Sequence, residues 1–67
     1  MGKHNSLVTM RKDRLYTQAY LAQQLGVTQS TVAMWETGKV VPSMKNILAL
    51  AALYGVTVDD ICSCIKR

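Results

Sequence analysis

Hydrophobic and polar positions along the chain predict short helices throughout. Apolar side chains recur three or four residues apart, as at Leu21 and Leu25 and again at Ile61 and Ile65. Such intervals place apolar residues on one face of a helix, whereas a half-buried strand would alternate apolar and polar residues. No stretch of the sequence alternates in that way. We therefore expect an all-α fold of five short helices.

Hydroxyl-bearing residues and glycines mark where these helices should begin and end. Ser, Thr and Asn are favoured N-caps, and glycine is favoured just after a helix because it adopts positive φ. The first helix should run to about Arg14, the third should close at Trp35–Glu36, and the fourth should run to about Tyr54. The expected N-caps are Asn5 or Ser6, Thr17, Thr28, Ser43 and Thr57, and the expected stops are Gly26, Thr37-Gly38 and Gly55.

The fourth helix is apolar on most sides, which is typical of a central buried helix. Its apolar residues are Ile47, Leu48, Leu50, Ala51 and Leu53. The first helix should turn Leu7, Met10 and Arg11 inward, with Val8 as a further candidate. Together these residues predict a core to which all five helices contribute.

Residues 18–37 are expected to form two short helices joined by a tight turn at Gly26. The first should bury Leu21, Ala22 and Leu25, and the second should bury Val32 and Trp35. So short a connection forces the helices to cross at a large angle, which predicts a helix-turn-helix. The second helix of such a pair can enter the DNA major groove.

Composition narrows the class of protein without identifying it. The 67 residues are enough for one domain, and Met1 to Asn5 contain nothing that requires burial, so we expect them to be loose. Eight Lys and Arg against four Asp and Glu give a net charge of +4, which suits a polyanionic partner. Neither a secretory signal nor an apolar run long enough to span a bilayer is visible, so cytoplasmic residence is expected.

The chain offers few residues for metal binding or catalysis. Cys62 and Cys64 are the only cysteines and His4 is the only histidine, which is too few for a structural zinc site. Reduced thiols with Cys62 partly packed are favoured, and a disulfide between two chains remains the alternative. We expect no metal, no cofactor and no enzymatic activity, because nothing supplies a nucleophile, a base and an anion-binding loop together.

Residues 11–61 resemble the lambda-type phage repressor and Cro family, also called the xenobiotic-response-element (XRE) type of helix-turn-helix. The matching segments are Arg11, Thr17-Gln18, Leu21-Ala22, Leu25-Gly26-Val27, Thr28-Gln29-Ser30-Thr31-Val32, Trp35-Glu36, Gly38-Lys39, Pro42-Ser43 and Gly55-Val56-Thr57-Val58-Asp59. Ala22, Gly26 and Val32 fall four, eight and fourteen residues after Gln18, and this spacing is the discriminating part. The resemblance implies a prokaryotic or phage DNA-binding protein.

Two positions depart from the family pattern. Leu15 stands where the family often has glycine, so it must either avoid positive φ or bear a strain cost. Tyr16 replaces the usual leucine, and its hydroxyl must reach solvent or a partner. Both departures concern local geometry.

The residues expected to bind DNA lie on the two motif helices and the loop that follows them. Gln29 is the strongest candidate for reading a base, because its amide can pair bidentately with adenine. Met34 could instead pack within the protein. Lys12 and Arg14 are further candidates for phosphate contacts, with a solvated charged face as the default interpretation for both. The predicted base contacts are Thr28, Gln29, Ser30, Ala33 and Met34, and the predicted backbone contacts are Gln18, Thr31, Lys39, Ser43 and Lys45.

The resemblance also implies an internal salt bridge between Arg11 and Glu36, and a Gln18 that braces the recognition helix. One recognition helix reads few base pairs, so we expect a homodimer on a palindromic operator. Its surface is expected at the C-terminal end, among Tyr54, Val56, Val58, Ile61, Cys62 and Ile65. Some of these residues must complete the core of the monomer, and the others are expected to pair. Transcriptional repression is the favoured function. The alternative is a protein-interaction module, such as an antitoxin, with the same fold.

Overall fold

The computed structural model describes residues 6–65, and within that range the chain is helical with no strand. The helices are α1 (Leu7–Asp13), α2 (Gln18–Leu25), α3 (Gln29–Thr37), α4 (Met44–Tyr54) and α5 (Val58–Cys64). The prediction of an all-α, five-helix fold is confirmed. The expectation that Met1 to Asn5 are loose, and the option of Asn5 as a cap, lie outside the described residues.

Hydroxyl side chains begin all five described helices. Ser6, Thr17, Thr28, Ser43 and Thr57 each accept a hydrogen bond from the backbone N–H three residues later. The Thr57 backbone N–H donates in return to the Asp60 carboxylate at 3.1 Å, which completes a capping box. Because an N-cap hydrogen bond joins residues only three apart, the helix starts could be predicted from the local sequence. The ends of α1 and α3 each differ from the prediction by one residue.

The core gathers apolar side chains from every helix around Val32, Leu50 and Ile61, which are the largest fully buried side chains. The prediction that α4 is buried on most sides is wrong. Met44 and Leu48 are 58% and 53% exposed, because α4 turns only the face of Ile47, Leu50 and Ala51 toward the core.

Helix α5 closes the core and corrects the predicted dimer surface. Ile61 is 0% exposed, Ile65 is 8% exposed and Tyr54 is also buried, so these three side chains complete the monomer and cannot form a surface. Val56, Val58 and Cys62 are half-buried and pack against the core. Cys64 is a buried, reduced cysteine, and burial raises the pKa of its thiol.

No single helix within residues 6–65 is both long and apolar enough to cross a membrane. Only α4 and α5 taken together pass by length and composition, and they form a pair bent by 111°. Over the same residues, no group of three or more His, Cys, Asp or Glu side chains could hold a metal ion.

Candidate nucleic-acid interface

The α2–α3 pair has the geometry of a helix-turn-helix. Gly26 ends α2 at φ 72° and ψ 31°, a left-handed conformation that side chains with a Cβ disfavour. The N–H of Val27 then donates to the carbonyl of Ala22 at 3.0 Å, and Thr28 caps α3. Ala22 and Val32 are both buried where the helices approach. The turn at Gly26 and the packing of these two small side chains fix the orientation of α3 against α2.

The N-terminal half of α3 turns polar side chains to solvent. Gln29 and Ser30 are exposed, and Thr31, Ala33 and Met34 are half-buried. Thr28 is exposed, but its hydroxyl accepts the Thr31 N–H at 3.1 Å and shares a hydrogen bond with the Thr31 hydroxyl at 2.8 Å. Of the predicted base contacts, Gln29 and Ser30 are therefore the most accessible.

A buried ion pair joins α1 to the end of α3, as the resemblance implied. Arg11 Nε donates to Glu36 Oε2 at 2.6 Å and Arg11 Nη2 donates to Glu36 Oε1 at 3.2 Å. Arg11 Nη1 also donates to the carbonyl of Tyr16 at 2.8 Å, which ties the α1–α2 connection to the same site. The hydrogen bond to Glu36 is the main cause that raises the pKa of Arg11, although burial opposes it.

Gln18 connects this ion pair to the recognition helix. Its Nε2 donates to Glu36 Oε1 at 2.9 Å, and its Oε1 accepts from Gln29 Nε2 at 3.5 Å. The bracing of the recognition helix by Gln18 was implied by the resemblance, but the link from Gln18 to Glu36 was missed. Nothing in the sequence indicates it, because it depends on how α3 crosses α2.

Positive side chains accompany this surface, and exposed acids do not. Lys39 and Lys45 are exposed on either side of Ser43, which caps α4 and accepts the Asn46 N–H at 3.3 Å. Between residues 14 and 58 the sequence contains a single acid, Glu36, and that acid is buried and paired with Arg11. The motif and the loop after it therefore present neutral and positive groups to solvent.

The segment between α1 and α2 holds Arg14, Leu15 and Tyr16 in defined contacts or conformations. Arg14 is not simply solvated: its guanidinium lies 4.7 Å from the ring centroid of Tyr54 and donates to the carbonyls of Met10 and Tyr54. Leu15 takes a positive φ of 62°, so it bears the strain cost anticipated for it. The ring of Tyr16 packs between those of Tyr20 and Tyr54, with centroids 4.9 Å and 6.1 Å away.

Comparison with known proteins agrees with this geometry. The family model described as helix-turn-helix matches residues 7–61, which is most of the chain. The chain belongs to this helix-turn-helix family. No solved structure matches it significantly.

Several members of the helix-turn-helix family are similar along most of this chain. A transcriptional regulator of Methanocaldococcus jannaschii, itself uncharacterized, is 39% identical over 85% of this chain and 86% of its own length. The activator BcrR of Enterococcus faecalis is 32% identical over 94% of this chain. The cryptic phage CTXphi repressor RstR of Vibrio cholerae is 29% identical over 84% of it.

The chain spans 31% of the length of BcrR and 50% of the length of RstR. What it shares with them is thus their helix-turn-helix portion. Because one of these proteins is named an activator and the other a repressor, the shared portion does not by itself fix the direction of regulation.

Proposed function

We propose that this protein is a sequence-specific regulator of transcription that binds double-stranded DNA through α3. The observation that carries the proposal is the exposed Gln29 and Ser30 at the start of a helix whose opposite face, Val32 and Trp35, is locked into the core. A rigid helix with polar side chains at its N-terminal end can reach base edges in the major groove. Ala33 and Met34, one turn later, would contact apolar groups such as the thymine methyl.

Backbone contacts would position α3 in the groove. The N-termini of α2 and α4, at Gln18 and Ser43, are the positive ends of these helices, where phosphate is favoured. Exposed Lys39 and Lys45 add positive charge beside them, and Thr31 adds a hydroxyl near the same edge. The lack of an exposed acid between residues 14 and 58 supports this arrangement, since no carboxylate there would repel the phosphates.

The proposal includes a homodimer that represses from a palindromic site. Val56, Val58 and Cys62 remain candidates for its interface, because each is still partly exposed. Met44 and Leu48, one turn apart on the outer face of α4, are the competing surface. Sedimentation of Val58→Glu and Leu48→Glu at high protein concentration separates the two. A wild-type protein that stays monomeric with and without DNA would contradict the dimer.

Selection of bound sequences from a random DNA pool tests the central proposal. A shared motif with twofold symmetry and half-sites about 34 Å apart is expected. Titration of that duplex over a range of salt concentrations should give a log–log slope of about −7, if a dimer neutralises roughly eight phosphates. A slope near zero, or a pool that yields no motif, would refute DNA binding by this surface.

Gln29→Ala tests the reading face. Specific affinity should fall by about 1–3 kcal/mol, because the bidentate pair with a base is lost. Thermal stability should not change, since Gln29 is exposed. Gln24→Ala, at an exposed glutamine of α2 outside the predicted contacts, is the matched control. An unchanged sequence preference in Gln29→Ala would place the reading face elsewhere.

One observation favours a second candidate function, a protein-interaction module such as an antitoxin. Val40, Val41, Met44 and Leu48 are large, apolar and exposed within one short segment. Exposed apolar groups of this kind can mark a protein contact. A pull-down from host lysate with Leu48→Glu as the control tests this. Retention of one partner by the wild type alone, without DNA binding, would favour the second function.

A further inference from the structure

A chain of side-chain hydrogen bonds runs from the buried ion pair to the exposed recognition residue. Arg11 donates to Glu36, Gln18 donates to Glu36 at 2.9 Å, and Gln29 donates to Gln18 at 3.5 Å. Glu36 is 6% exposed, Gln18 is half-buried and Gln29 is exposed. We refer to Glu36, Gln18 and Gln29 as the relay. These three side chains connect the protein interior to the surface proposed to face DNA.

The relay has a direction, and Glu36 sets it. An ionised carboxylate only accepts hydrogen bonds, whereas a glutamine amide has a donor end and an acceptor end. Gln18 must therefore turn its NH₂ group toward Glu36 and its Oε1 toward Gln29. Gln29 must in turn offer an N–H to Gln18. Each amide orientation follows from the one before it.

The orientation of Gln29 decides which base it can read. With one N–H held by Gln18, its outward edge presents Oε1 beside the remaining N–H in a fixed order. Adenine offers a matching edge, the N6 amino group beside N7, whereas guanine offers two acceptors, O6 and N7. If the amide were reversed, donor would face donor and acceptor would face acceptor at adenine. The native direction of the relay thus favours adenine.

We propose that Glu36 is a specificity-determining positioning residue, which selects adenine at the base pair read by Gln29 by orienting Gln29 through Gln18. The proposal rests on the DNA-binding function proposed above and adds a role for a residue that does not itself touch DNA. Its structural role in the ion pair is separate, because that role requires only Arg11.

Glu36→Gln is the decisive substitution. The shortest hydrogen bond of the site is the one from Arg11 Nε at 2.6 Å, so the oxygen of the new amide stays on that side. The NH₂ group of residue 36 then faces Gln18, which reverses the Gln18 amide and in turn that of Gln29. The hydrogen bond from Arg11 Nη2 to the same side of residue 36, at 3.2 Å in the native protein, is lost as well. The substitution replaces an acceptor by a donor without changing the size of the side chain.

The experiment compares affinities for duplexes that differ at one base pair. Selection from a random duplex pool supplies the site, and loss of preference in Gln29→Ala identifies the base pair that Gln29 reads. Adenine should be preferred over guanine there by about 5- to 150-fold in the wild type. In Glu36→Gln this ratio should fall toward one. A ratio measured with a single protein does not depend on the fraction that is folded.

Further variants separate positioning from stability. Arg11→Lys weakens the ion pair but keeps the carboxylate, so it should lower the melting temperature and leave the adenine preference intact. Gln18→Met leaves the ion pair in place and cuts the relay, so Gln29 rotates freely and the preference falls less than in Glu36→Gln. Adding Glu36→Gln to Gln18→Met should have no further effect on the ratio, since the relay is already interrupted.

Each outcome decides one question. An unchanged ratio in Glu36→Gln, or an equal fall with and without Gln18, would overturn the proposal. If Glu36→Gln does not fold, an unchanged ratio in Gln18→Met would overturn it. A motif that Gln29→Ala leaves unaltered would also overturn it, while the DNA-binding function would stand. If the wild type selects no motif, the DNA-binding function itself fails.

Discussion

Replacing Leu15 by glycine is expected to stabilise the domain. Leu15 has φ 62°, and it is the one residue other than glycine with positive φ in the described part of the chain. Its side chain is 91% exposed, so its removal gives up almost no burial. Neighbouring hydrogen bonds hold the backbone there, since Leu15 N–H donates to Lys12 and Arg11 binds the carbonyl of Tyr16. The strain therefore has no local means of release.

The size of the gain follows from two opposing quantities. A left-handed conformation costs a residue with a Cβ roughly 1–2 kcal/mol, and glycine avoids that cost. Glycine in turn loses roughly 0.5–1 kcal/mol more conformational entropy on folding. The net gain should be about 0.5–1 kcal/mol. For a domain of this size it should raise the melting temperature by about 2–8 °C.

Thermal and urea unfolding followed by circular dichroism measure the gain. Leu15→Ala is the matched control, because it shortens the side chain but keeps the Cβ, and it should remain close to wild type. Gly26→Ala is the reciprocal test. Gly26 has φ 72°, and an added Cβ would meet no atom within 4 Å other than the adjoining backbone, so any loss of stability is conformational. The reasoning would be refuted if Leu15→Gly were no more stable than Leu15→Ala, or if Gly26→Ala were as stable as the wild type.

Two further predictions concern buried groups. Arg11→Ala should lower the free energy of unfolding by about 3–5 kcal/mol, because buried Glu36 loses its partner, and the apolar double variant Arg11→Met/Glu36→Met should recover much of it. Urea unfolding compares them, and a double variant as unstable as Arg11→Ala would contradict the explanation. Burial raises the pKa of Tyr54 to about 12. The folded state thus holds the phenolic proton more tightly than the unfolded chain. Stability should be unaffected by this group below pH about 10 and fall from there toward about 12. Tyr54→Phe should show a shallower fall, and an equal one would assign the loss to other groups.

Local signals made much of the fold predictable from sequence. The N-cap hydroxyls and the glycines that end α2, α3 and α4 act within one turn of the chain, so Thr17, Thr28 and Gly26 could be identified without tertiary structure. The family spacing around Gln18 then oriented α2 and α3. Burial of individual residues on α4 and α5 was harder, because periodicity does not say which face another helix covers.

The predictions that failed share this cause, since each depended on how the helices pack against one another. Leu48 and Ile61 are both apolar residues in apolar helices, yet one is exposed and the other fully buried, depending on where α5 crosses α4. Arg14 was expected to be solvated, but in the folded chain its guanidinium lies against the ring of Tyr54, which is forty residues away in sequence. The relay could not be predicted either, since Glu36 and Gln18 are eighteen residues apart and meet only when α3 packs against α2. Base contacts of Gln29 and Ser30 stay predictions.

The burial of Glu36 also bears on how the proposed DNA-binding surface responds to acidity. Residues 14–58 contain no histidine, aspartate or cysteine, and their ionisable side chains besides Glu36 are arginine, lysine and tyrosine. Histidine is the residue type whose charge ordinarily changes between about pH 5 and 8, and this part of the chain contains none. A regulator that binds DNA through this surface would therefore have no histidine switch there. A change in cellular pH would have to act on it through another part of the chain.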